Sequence, residues 1–233
     1  MILEQLQEGK IILINKPLNW TSFDVVNKIR WEIRKKYRLK KFKVGHAGTL
    51  DPKATGLLII CLGKETKNIE TYQGQKKVYS GTIKLGATTP SYDTETEEDQ
   101  IFPTEHITNE LIEKTIHRFI GSIEQFPPIF SALKKEGKRL YEFARSGQKI
   151  KIESRLVYIE DFKITKNTLP FIDFKVTCSK GTYIRSLAHD FGKSLKSGGY
   201  LTALKREQIG DFNIKGAFSM EKAIQIIQES GDF

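Results

Sequence analysis

Apolar and polar positions along the chain switch between strand-like runs and helical spacing. The run IILI at residues 11–14 predicts a short buried strand that ends at Lys16 and Pro17. Beyond it, Thr21 or Ser22 can cap a helix in which Phe23, Val26, Ile29 and Ile33 recur at helical spacing. Lys28, Arg30, Arg34, Lys35 and Lys36 fill the remaining positions, so one face is apolar and the other basic. Residues 43–52, KVGHAGTLDP, are glycine-rich and predict a loop, followed by the apolar run LLIICLG. Alternation around Tyr79 and Ile83 predicts a strand, and the acidic stretch 91–100 a loop. Leu111, Ile112, Thr115, Ile116 and Phe119 predict a helix over 107–121. Pro127 and Pro128 force an extended entry to a further short helix. Strands are predicted at 155–165 and 171–178, and after Gly181 a helix places Ile184, Leu187, Ala188 and Phe191 on one face.

Strands and helices intermingle without a strict strand–helix–strand period, and some strands follow one another as hairpins. That pattern predicts an α+β fold with one mixed, largely antiparallel sheet flanked by helices. No internal repeat and no linker rich in Pro, Gly or Ser divides the chain, so residues 1–233 are expected to form a single domain.

Composition narrows the class. Hydrophobic residues make up 39% of the chain, enough for an ordinary core. The uncharged run 54–63 is far short of the roughly 20 apolar residues that a spanning helix needs. The N-terminus carries acids where a secretory signal wants basic residues. Cys61 and Cys178 stand far apart, which suits a reducing, cytoplasmic compartment rather than a disulfide framework. The net charge is +10, and it is concentrated. Residues 10–43 hold eleven Lys or Arg against Asp24 and Glu32, and residues 134–155 hold eight against three acids. Residues 91–113 hold eight acids and no Lys or Arg. Two basic segments of this kind fit a polyanion such as nucleic acid, although a solvated surface accounts for the charge equally well.

Most common chemistry is absent. There is no phosphate-binding GxxxxGK[ST] loop, no GxGxxG and no GxSxG, and the four histidines and two cysteines show no zinc spacing. No metal or cofactor is expected. The segment that remains is GHAGTLDPKATGLL, in which Gly45 and Gly48 permit a sharp turn and Pro52 biases Asp51 toward an extended conformation. From these residues alone, Asp51 is open between a reactive carboxylate reached along a basic path and a turn residue that satisfies nearby amides.

The wider sequence resolves that ambiguity by likeness. GHAGTLDPKATGLLIICLGKETK resembles the central motif of the TruB family of tRNA pseudouridine-55 synthases. NKPLNWTSFDVV is similar to the family's first motif, and KVYSGTIKLGATTPSYDTE to its tyrosine-bearing strand. QFPPIFSALKKEGKRLYEFARSG, within about 125–150, resembles its RNA-gripping insertion. CSKGTYIRSLAHDFG resembles the arginine motif and GGYLTALKREQIGDF the closing leucine segment. The matches keep the same order over roughly 10–212. Longer members continue into a separate C-terminal RNA-binding domain, which is not expected here because the sequence stops at Phe233.

The resemblance implies an isomerase that flips uridine 55 out of the tRNA T-loop and converts it to pseudouridine without a cofactor. It implies Asp51 as nucleophile, with attack on C1′ or C6 or abstraction of a sugar proton left open. Arg185 is implied as the cation paired with Asp51, and Tyr79 as the ring that stacks on the uracil and serves a later proton transfer. Tyr183 and Leu204 are implied to touch the base, and His46 to fill the space that the flipped nucleotide vacates. Lys16 and Pro17 are implied to support the catalytic loop. Arg206, with Lys134, Lys135, Lys138 and Arg139, is implied to hold phosphates. The implied partner is the tRNA T-stem-loop, met by a monomer in the cytoplasm without membrane or metal. Two other readings use the same surface: a non-catalytic RNA-binding protein or chaperone, and a sibling synthase acting on ribosomal or guide-directed RNA.

Overall fold

The computed structural model describes residues 3–135, 137–148 and 150–229. Glu136 and Lys149, counted above in the second basic segment, lie outside the described residues. The helices are α1 (Leu3–Glu8), α2 (Ser22–Tyr37), α3 (Ile69–Gly74), α4 (Asn109–Ile116), α5 (Leu140–Arg145), α6 (Ile184–Ser194) and α7 (Met220–Glu229). The strands are β1 (Lys10–Lys16), β2 (Val44–Ala47), β3 (Ala54–Leu62), β4 (Lys77–Leu85), β5 (Ala87–Thr88), β6 (Gln100–Ile101) and β7 (Gly121–Gln125), then β8 (Lys134–Lys135), β9 (Lys138–Arg139), β10 (Arg155–Thr168), β11 (Phe171–Cys178), β12 (Gly199–Ile209) and β13 (Phe212–Asn213). Nine strands hydrogen-bond as one mixed, mostly antiparallel sheet in the order β1-β3-β12-β4-β11-β10-β7, with β2 on β3 and β13 on β12. This is the α+β architecture that the pattern predicts. Contacts divide the chain into two compact units, Met1–Tyr79 with Leu204–Phe233 and Ser80–Ala203.

The first unit is organised by β3, which is buried on both faces and therefore reads as an unbroken apolar run. Leu58, Ile60 and Leu62 pack with Ile12 and Ile14 of β1 against Val25, Val26, Ile29 and Ile33 of α2 and Met220, Ala223 and Ile227 of α7. Leu57, Ile59 and Cys61 point the other way, onto Ala47 and Ile209. β1 runs antiparallel to β3 from Lys10↔Leu62 to Lys16↔Gly56, whereas β12 joins β3 in parallel at Leu204↔Ala54 and Arg206↔Gly56. α2 begins with a full capping box between Thr21 and Asp24, and its last turn carries Arg34, Lys35 and Lys36, the charge that a helix C-terminus favours.

In the second unit, β10 is flanked by antiparallel β11 and β7, the latter in register from Arg155↔Gln125 to Ile159↔Gly121. Its core is an edge-to-face cluster around Phe162, whose ring centroid lies 5.5 Å from Phe191, 5.9 Å from Phe174 and 6.5 Å from Phe119. As the spacing predicts, Ile184, Leu187, Ala188 and Phe191 of α6 are all buried.

Three local expectations are corrected. Phe23 does not join the apolar face of α2 and is instead 60% exposed. The buried series is Ser22, Val25, Val26, Ile29, Glu32 and Ile33, and Phe23 lies about 100° around the helix from Ser22. Residues 44–47 form β2 rather than loop, pairing from Val44↔Leu62 to Ala47↔Ile59. Gly45 therefore serves packing, since a Cβ there would sit 2.6 Å from Ile69 Cδ1, and only Gly48 makes the turn, at φ +90°. The predicted helix 107–121 stops early: α4 ends at Ile116, one tight turn follows to Phe119, and Gly121 at φ +95° starts β7.

Gly56 is the tightest point of the first unit. Its φ is +105°, and a Cβ would lie 2.3 Å from the Arg206 carbonyl oxygen and 2.6 Å from the Arg206 nitrogen. Gly56→Ala should cost at least about 2 kcal/mol, because strain and backbone collision add. Gly74→Ala, at a helical position with nothing within 4 Å, should instead stabilise by about 0.5 kcal/mol. Urea denaturation of the two variants checks both signs.

Candidate active site

The loop between β2 and β3 carries Asp51, and neighbours on several sides of it hold its backbone. Arg206, on β12, is 1% exposed and spends its guanidinium inward. Its Nε donates to the Leu57 carbonyl at 2.8 Å, Nη2 to Gly48 at 2.8 Å and Nη1 to Thr49 at 3.4 Å. From the α2 side, the Leu50 N–H donates to Ser22 Oγ at 2.9 Å, and that hydroxyl lies 3.2 Å from the Leu50 carbonyl. Asn19 donates its N–H to the Pro52 carbonyl at 2.8 Å and accepts from Lys53 Nζ at 3.1 Å. The Ala54 N–H closes the turn onto the Asp51 carbonyl at 3.0 Å. The backbone on either side of Asp51 is thus fixed, and its half-buried side chain is presented from a rigid turn.

Lys16 ends β1 with no exposed surface. Its ammonium donates to the carbonyls of Trp20 at 2.6 Å and Pro17 at 2.9 Å, which ties down the link between β1 and α2. Burial lowers its pKa to about 8 from the ordinary 10.5, and the Arg206 charge adds to the effect, while Asp51 and Asp24 oppose it. His46 is held below its ordinary value by burial and by Arg206, against a hydrogen bond with the Gly48 backbone. Its ring is therefore neutral at pH 7. Asp51, Lys16, His46 and Arg206 form one electrostatic group within the first unit. Pro17 accepts from Lys16, Leu204 pairs with Ala54 at the start of β3, and Tyr79 is buried where β4 leaves the unit.

In the second unit, Arg185 is also buried. It donates to the Ser91 carbonyl at 3.0 Å and lies 3.7 Å from the Asp93 carboxylate. Asp93 is itself organised, accepting from Ser91 Oγ at 2.6 Å and from the Glu95 N–H at 2.9 Å. Tyr183 precedes α6, and Gln125 brackets its backbone, accepting from its N–H at 2.7 Å and donating to its carbonyl at 3.1 Å. The Arg155 guanidinium sits 4.5 Å from the Tyr183 ring centroid. Lys134, Lys138 and Arg139 stand exposed on the β8–β9 hairpin, with Lys135 half-buried.

Each of the three donor nitrogens of Arg206 is directed at a backbone carbonyl, two in the loop that carries Asp51 and one in β3. Reasoning from the sequence missed Ser22, Asn19, Ser91, Asp93 and Gln125. Ser22 was visible as one of two capping candidates; since Thr21 takes the cap, the second hydroxyl is free for the loop. Asp93 and Gln125 carried no signal beyond lying in the quoted motifs.

Comparison with known proteins fits this arrangement. The family described as TruB family pseudouridylate synthase (N terminal domain) matches residues 34–184. "tRNA pseudouridine synthase B" of Flavobacterium johnsoniae is 60% identical over 93% of this chain and 95% of its own length. The protein of the same name from Parabacteroides distasonis is 50% identical over 95% and 94%. Among solved structures, one described as a Cbf5-Nop10-Gar1 complex superposes with a TM-score of 0.73 at 26% identity; it covers all of this chain, which spans 60% of that one. The architecture is that of a pseudouridine-synthase fold. The chain belongs to the TruB family of pseudouridylate synthases.

The lowered pKa of Lys16 has a consequence for stability. Between about pH 8 and 10.5 the unfolded chain holds a proton that the native chain has lost, so this group's contribution to stability rises with pH across that window. Lys16→Met removes the titration. The stability of the parent protein minus that of the variant should therefore grow from pH 7.5 to pH 10 in urea melts, whereas parallel curves would contradict the assignment.

Proposed function

We propose that the protein isomerises uridine 55 in the T-loop of tRNA to pseudouridine, acting as a monomeric single catalytic domain in the cytoplasm, with Asp51 as nucleophile. The observation that carries this reading is the 60% identity to a protein named tRNA pseudouridine synthase B over 93% of the chain. The bracing of the loop around Asp51 supports it, because a nucleophile must be held within a fraction of an ångström of its target. The net charge of +10 supports an RNA substrate.

The reaction breaks the bond from C1′ to N1 and forms one from C1′ to C5; the hydrogen on C5 leaves as a proton, and N1 takes one up. The base keeps its composition and no electron is gained or lost, so the step needs no redox partner. The target uridine is flipped from the T-loop before it reacts. In this reading His46, kept neutral, occupies the space the nucleotide leaves, Tyr79 stacks on the uracil and receives the C5 proton, and Tyr183 and Leu204 line the base site. Arg185 is the cation paired with Asp51 during the reaction. Lys16, Pro17 and Arg206 position the loop, and the exposed cations of the β8–β9 hairpin meet phosphates.

Asp51→Asn keeps the size of the side chain and removes its charge. Pseudouridine at position 55 should fall below detection in mapped tRNA while tRNA affinity stays within about threefold of the parent. Substantial turnover by this variant would end the nucleophile assignment.

An isolated T-stem-loop should be modified at the same uridine as intact tRNA, because single-domain RNA proteins read such elements by shape and by splayed bases. A hairpin whose loop fold is disrupted should lose turnover far more than one with altered stem pairs. Reaction with intact tRNA alone would show that recognition depends on distant tRNA elements.

A further inference from the structure

Among the described residues of the first unit, three large hydrophobic side chains stand exposed: Leu18 at 53%, Phe23 at 60% and Trp31 at 51%. Leu18 lies in the link before α2, and Phe23 and Trp31 lie on its exposed side. Leu18 adjoins Asn19, which is bonded to the catalytic loop, and Phe23 follows Ser22, which holds Leu50 beside Asp51. Trp31 lies eight residues beyond Phe23 on the outer side of α2, about 12 Å further along the helix. None of the three belongs to the core of α2, which packs through Val25, Val26, Ile29 and Ile33.

The surroundings of Trp31 are cationic. Lys28 Nζ lies 4.9 Å and Lys35 Nζ 4.8 Å from its ring centroid, and Arg34 and Arg38 are exposed on the same side. Of the two acids of α2, Glu32 offsets Lys28 from the buried side, and Asp24 is held at the other end of the helix. Asp24 is engaged by Thr21 in the capping box, and Glu32 is buried and bridged to Lys28 at 2.8 Å. Both ammonium groups lie over the ring, so a nucleobase stacks there by displacing one of them, which then meets the flanking phosphate; an apolar protein partner would gain nothing from that charge.

We propose that Trp31, flanked by Lys28 and Lys35, is a stacking platform for an unpaired nucleotide of the substrate RNA outside the modified hairpin. This rests on the RNA reading above and adds a second contact to it. The bases of the T-stem are paired and stacked, and in the reading above the T-loop is engaged at the Asp51 site, so the base that stacks on Trp31 is assigned to another single-stranded part of the tRNA.

The test uses the full chain carrying Trp20→Phe, so that Trp31 supplies the tryptophan emission, with intact tRNA and an isolated T-stem-loop as probes. Intact tRNA should quench the emission strongly and the hairpin only weakly. Trp31→Ala should weaken intact tRNA about tenfold, and Trp31→Phe should restore most of that loss. The loss on the hairpin should stay under twofold. Unchanged emission with bound tRNA, or equal tRNA affinity for Trp31→Ala and the parent, overturns the proposal, as does an equal loss on hairpin and tRNA. If tRNA binds and quenches but the parent protein forms no pseudouridine, the platform stands and the catalytic reading falls.

Discussion

The guanidinium of Arg206 is the interaction on which the first unit depends. A buried cation is costly unless its donors are satisfied, and here they are satisfied by carbonyls of Gly48, Thr49 and Leu57. Those acceptors are available only because the chain folds into the geometry that presents them. The strand β12 must run parallel to β3 at closest approach, which only the bare backbone of Gly56 allows, and the loop must turn at Gly48. Cation, glycines and loop conformation thus require one another. Asp51 inherits its position from that agreement, and the same charge adds to burial in lowering the pKa of Lys16 and of His46.

Cations in this protein fall into two populations that no count of charge can separate. Lys16, Arg185 and Arg206 are buried and spend their donors on backbone carbonyls and carboxylates. Arg34, Lys35 and Arg38 at the end of α2 and Lys134, Lys138 and Arg139 of β8 and β9 stand in solvent, where attraction to phosphate is long-ranged and screened by salt. The inner set shapes the site, and the outer set is free to attract a polyanion to it.

The second unit repeats the same strategy with different parts. Arg185 is oriented by the Ser91 carbonyl and by an Asp93 carboxylate that has its own donors. Tyr183 is fixed at the start of α6 by Gln125 through its backbone and by Arg155 through its ring. Through Phe191, the Phe162 cluster packs α6 against β10 and β11. In both units a residue implicated by resemblance is held by others that carry no chemistry of their own.

Periodicity alone determined β1, α2, β10, β11 and α6, since each buries a face whose spacing is local. Resemblance across ordered motifs determined the family and named Asp51. Properties that depend on distant partners were decided only by the tertiary structure. Gly45 and Gly48 look alike in sequence, yet one packs under Ile69 and the other turns the chain. Arg206 and Lys134 look equally suited to phosphate, yet one faces three carbonyls and the other faces water. Phe23 has the spacing of a core residue and lies outside the core, because the face of a helix that is buried is chosen by the strands and helix it packs against. Sequence specifies each side chain's chemistry and its local geometry; the environment that gives the chemistry its use is assembled from residues far apart in the chain.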